Sequence, residues 1–124
     1  MYKWITLITL MMPSFAWSQS CEQYQYSNLS IVQVLIEKEG AISSLKLYVS
    51  WNEENAIGTW MDNQPIAGSI KKPLKEYFNI KHIDKINILN SLGSNRWNAF
   101  SHHYKAISKL ETKDIWYLKK CKNT

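Results

Sequence analysis

Most of the usual carriers of chemistry are missing from this chain of 124 residues. There is no glycine-rich phosphate loop, no Gly-x-Ser-x-Gly elbow and no Cys-x-x-Cys pair, which removes the common nucleotide, acyl-transfer and redox signatures. Arginine occurs once, as Arg96, and histidine three times. A small ribonuclease-like set of glutamate, arginine and histidine is therefore permitted by composition but not spelled out as a motif. No apolar run approaches the ~20 residues needed to span a bilayer. No repeat, linker or low-complexity tract is present, so the chain is read as one domain. No cofactor is implied.

What is present begins with residues 1–18, read as a signal peptide. Lys3 supplies a positive start, an uncharged apolar stretch runs through residues 4–12, Pro13 breaks it, and Ala16 and Ser18 fit the small-residue cleavage pattern. A buried N-terminal helix or a lipid-anchored Cys21 are the competing readings. Residues 19–124 then form the mature domain, expected in the periplasm or secreted. Loss of Lys3 leaves 14 basic against ten acidic residues. The mild surplus suits approach to acidic surfaces, but the lysines are scattered, so nucleic acid is not an expected partner. Cys21 and Cys121 are the only cysteines. In an exported chain they are expected to pair, closing a loop whose chain-entropy stabilisation is roughly 4–5 kcal/mol.

The clearest structural signal lies in residues 30–51. Leu45, Leu47, Val49 and Trp51 alternate with Lys46, Tyr48 and Ser50, the period-two pattern of a half-buried strand. The run Ile31, Val32, Gln33, Val34, Leu35, Ile36 is apolar enough for a strand covered on both faces. Glu39 and Gly40 between them predict an antiparallel hairpin. A third strand is expected over residues 56–61, where Gly58 marks a bulge or a close approach. Residues 66–68 are ambiguous. A short helix is predicted over residues 69–78, with Pro73 in its first turn, and a fourth strand over residues 85–90. Residues 96–110 carry a helical spacing in Trp97, Phe100, Tyr104, Ile107 and Leu110, on residues that are indifferent helix formers; helix is slightly favoured over strand. Residues 111–114 read as a polar break and residues 115–120 as a closing strand. The fold class is α+β: a mainly antiparallel sheet of about five strands with one or two packed helices.

Candidate function follows from the aromatic surplus and the loops. Trp51 and Trp116 are expected in the core and Trp60 as an exposed anchor. Two turns are candidate binding loops: Asn52, Glu53, Glu54 and Asn55, and then Asp62 and Asn63. Adjacent His102 and His103 point different ways on any regular element, so a metal site is not expected. The leading expectation is a small exported binding protein acting by protein–protein contact, such as an inhibitor or immunity protein against a periplasmic or cell-wall-targeting enzyme. A small hydrolase using His102 or His103 with loop carboxylates, and a sugar-binding toxin or adhesin subunit, are the alternatives. A homodimer is compatible with the chain; an integral membrane protein is not expected.

Overall fold

A computed structural model describes residues 21–122; residues 1–18, read from the sequence as a signal peptide, lie outside the described residues. The long hairpin of β1 (Tyr24–Lys38) and β2 (Ala41–Glu53) is the centre of the sheet. Glu39 and Gly40 form its two-residue turn, both with positive φ (53° and 80°), the geometry that matches the twist of paired strands. Two further tight turns continue the meander through β3 (Ala56–Met61) and β4 (Gln64–Gly68). The chain then crosses one face through α1 (Leu74–Phe78) and α2 (Lys85–Ser94). It returns as a second hairpin, β5 (Asn98–Ala106) and β6 (Glu111–Cys121). β6 pairs with the free side of β1, giving one antiparallel sheet in the order β4-β3-β2-β1-β6-β5. Among the described residues the sheet has six strands, one more than expected: residues 64–68, despite Pro65, and residues 98–106 pair as strands, while the strand expected over residues 85–90 is not formed.

Cys21 and Cys121 form a disulfide, with Cα atoms 5.8 Å apart. It ties the lead-in of β1 to the end of β6, next to the pairing of Tyr24 with Cys121.

Both helices owe their ends to polar side chains. Asp84 caps α2, its Oδ1 accepting from Asn87 N at 2.7 Å. The predicted strand over residues 85–90 is therefore a helix: Ile88 and Leu92, four apart, are its buried stripe. α1 is shorter than predicted and begins after Pro73 rather than around it. Its first amides are met from the β3–β4 turn, where Asn63 O accepts from Leu74 N and Asn63 Oδ1 from Lys75 N. Ile70 is buried in the extended approach to that helix.

The helix expected over residues 96–110 is absent. β5 pairs with β6 across a bulge between Ala99 and Ser101, and the supposed stripe residues Phe100, Tyr104 and Ile107 are exposed. Trp97, in the turn before β5, is buried. The polar break expected at residues 111–114 is the start of β6, and Asp114 within it is buried.

Every buried strand residue lies on one face of the sheet. Ser27, Leu29, Ile31, Leu47, Val49, Trp51, Gly58, Trp60, Asp114, Trp116 and Leu118 alternate with half-buried or exposed neighbours. Register places them side by side, for example Trp51–Leu29–Trp116 and Trp60–Val49–Ile31. Leu74, Phe78, Ile88, Leu92 and Trp97 close over them. Trp51 and Trp116 sit in this core as expected. Leu45 does not: it is exposed near the hairpin tip. The run of residues 31–36 is not covered on both faces either, since Val32, Val34 and Ile36 are only half-buried on the side that no helix reaches.

Candidate contact surface

The two loops singled out in the sequence end at opposite ends of β3 and do different work. The first supplies surface. Asn52, Glu54 and Asn55 are exposed around the β2–β3 turn. Asn52, Glu53 and Glu54 form one wall of a shallow cleft of about 410 Å³ whose other walls are Tyr26, Ser27, Asn28, Ile57 and Tyr117. Glu54 meets Lys122 at 3.6 Å. Glu53 turns toward the helices, where its Oε1 accepts from the Tyr77 hydroxyl at 3.4 Å. Burial, then the Glu53 charge, pushes the Tyr77 phenol above its ordinary value.

The second loop supplies scaffold. Asp62 Oδ1 accepts from Leu47 N at 3.1 Å, and Asn63 caps α1. Trp60, expected as an exposed anchor, is fully buried. Its Nε1 donates to Lys72 O at 2.8 Å, and its ring lies over Gly58, where an added Cβ would stand 2.7 Å from Trp60 Cη2. Gly58 thus makes room for the tryptophan that follows it two positions later.

His102 and His103 point to opposite faces of β5, as strand geometry requires. His102 stacks on Trp116, rings 4.6 Å apart and 5° from parallel, and its Nε2 meets Asp114 Oδ1 at 2.7 Å. Lys85 at the start of α2 pairs with the other carboxylate oxygen. Burial pushes the Asp114 carboxyl up, but hydrogen bonds from Lys85 and His102 and their charges outweigh it, holding it below the ordinary carboxylate range. This cluster fastens α2 to the β5–β6 hairpin. The loop carboxylates are elsewhere: β5 and β2 are three strands apart, about 14 Å at ordinary strand spacing. The arrangement of His102 or His103 with Glu53 or Glu54 that a hydrolase would need is not formed. Among the described residues no group of three or more histidine, cysteine, aspartate or glutamate side chains is gathered as for a metal ion.

The uncovered face holds what sequence reading missed. Tyr24, Tyr26, Phe100 and Tyr117 gather there from three strands. Tyr26 meets Phe100 edge-on at 6.1 Å, and Tyr24 lies 6.5 Å from Tyr26. Lys119 Nζ stands 4.7 Å from the Tyr24 ring centre and 5.9 Å from that of Phe100. His103 sits edge-on to Tyr117 at 5.9 Å. Tyr26 and Tyr117 also wall the cleft beside the β2–β3 turn, so rings and turn make one continuous surface. The signal was the alternation in β6, where Lys113, Ile115, Tyr117 and Lys119 fall opposite Asp114, Trp116 and Leu118. Phe100 was hidden because its spacing mimicked a helix.

Comparison of the chain with protein-family models, curated proteins and solved structures gave no match. Among the described residues no helix is long and apolar enough to cross a membrane.

Proposed function

We propose that this is a small exported binding protein that works by contact, of the kind that inhibits or confers immunity to a periplasmic or cell-wall-targeting enzyme. The observation that carries the reading is the uncovered sheet face, whose exposed rings run into the exposed β2–β3 turn. Aromatic side chains are the residues most often found at the centre of protein interfaces. The disulfide between the chain ends fits an oxidising compartment.

The test uses the mature domain, residues 19–124, as bait in an extract of the host's cell envelope. Recovery of one enzyme in stoichiometric complex, with its activity lowered by added domain, supports inhibition. Recovery of glycans alone supports the sugar-binding alternative, for which the amides of Asn28 and Asn52 beside Tyr26 and Tyr117 provide suitable groups. A hydrolytic activity lost on substituting both His102 and His103 by alanine would overturn the contact reading.

A further inference from the structure

We propose that the open face at the β5–β6 edge docks an acidic, partly apolar segment of a protein partner. This rests on the contact reading and names the chemistry of the partner. A groove of about 430 Å³ is lined there by His103, Lys105, Ile107, Lys113 and Ile115, with no carboxylate in its walls. Lys105 and Lys113 stand directly opposite each other in the strand register. Like charges in that position repel and weaken the pairing. Neither lysine has an ion-pair partner among the described residues. The register thus sets two lysines opposite each other in a groove that Ile107 and Ile115 also line, a like-charge pairing that a ligand carboxylate would relieve.

The surroundings carry the same sign. Register sets Lys46 (opposite Val34) and Lys119 (opposite Tyr26) on this face, and Glu111 (opposite Val34) is the single carboxylate among its paired strand residues described. A second copy of this chain docked face to face would set lysines against lysines, so the charge selects an acidic partner over self-association. The rings argue against nucleic acid. Tyr26 and Phe100 meet edge-on and Lys119 covers Tyr24, which leaves no row of parallel rings for bases to stack on. They also argue against a lipid surface, because the rings and Ile115 lie on strands rather than on a protruding apolar loop or amphipathic helix.

The probe is the random copolymer of glutamate and tyrosine, titrated into the disulfide-bonded mature domain by fluorescence anisotropy. The test variant is Lys105→Gln/Lys113→Gln. The control, Lys71→Gln/Lys75→Gln, removes the same charge from the helical side. The Kd for the copolymer is expected to rise at least about tenfold in the first and to stay within about twofold in the second. Parent affinity is expected to fall as sodium chloride rises. Melting curves establish that both variants are folded. Equal losses in the two variants would overturn the proposal. So would tighter binding of the parent to a short oligothymidylate or to phosphatidylglycerol vesicles than to the copolymer. If the Lys105→Gln/Lys113→Gln variant captures a host enzyme as well as the parent does, this groove is refuted while the contact reading stands. If the parent binds copolymer in the groove but no host protein is captured, the groove stands and the contact reading falls.

Discussion

The two faces of the one sheet are built from the same strands, yet they obey different rules. On the covered face side chains are large, apolar and closed over by α1, α2 and Trp97; its one buried charge among the described residues, Asp114, is ion-paired with Lys85 and hydrogen-bonded to His102. On the open face, among the described residues, Lys105 and Lys113 stand without ion-pair partners, rings stand in solvent, and these two like charges oppose each other. A face selected only for solubility would intersperse both signs and keep apart charges of one sign. The difference teaches that the covered face holds the fold, while the open face keeps features that do not help it.

Substitutions on the two faces should therefore separate sharply. Trp60→Ala empties the space above Gly58 and removes the bond to Lys72 O, and is expected to cost about 3–5 kcal/mol in urea denaturation. Tyr48→Ala, in the neighbouring strand on the open face, should cost less than about 1 kcal/mol. Equal costs would break the comparison. Gly58→Ala places a methyl against Trp60 and Ile70, and should cost about 1–3 kcal/mol by overpacking.

Asp114 sharpens the comparison through pH. Its folded carboxyl lies below the ordinary range, so its contribution is fully present above the unfolded pKa of about 4 and is lost as pH falls through the lower folded value. Asp114→Asn should cost about 1–2 kcal/mol at neutral pH, a figure kept small because Lys85 and His102 retain part of their solvent. It should also flatten the acid limb of stability against pH, followed as the urea midpoint. An acid limb of unchanged slope would show that the cluster adds nothing to folding. The smallest effect is expected from Lys105→Glu, which turns a like-charge pair into an opposite-charge one and should raise stability by a few tenths of a kcal/mol.

Legibility in the sequence followed the range of the forces involved. The β1–β2 hairpin, its Glu39–Gly40 turn, the closing strand and the core places of Trp51 and Trp116 were readable because alternation and turn chemistry are local. The α2 and β5 segments were exchanged in kind. Ile83, Ile86 and Ile88 look like strand residues until Asp84 is recognised as a cap, and Phe100, Tyr104 and Ile107 keep a helical spacing that pairing with β6 overrides. Trp60 looked exposed because the cover over Gly58 comes from Ile70 and α1, well downstream. Of the candidate site, the Asn52–Glu54 wall was legible as a polar turn. The rings facing it were not, because nothing local says that β6 lies beside β1.

The most direct test measures stability and binding on the single variant Lys105→Glu. A thermal melt and a copolymer titration are run on the same sample. The expected result is a slightly higher melting temperature together with weaker binding, the signature of a charge kept for contact at the expense of the fold. Binding that is unchanged, or that falls only as stability falls, would contradict the division of labour between the two faces.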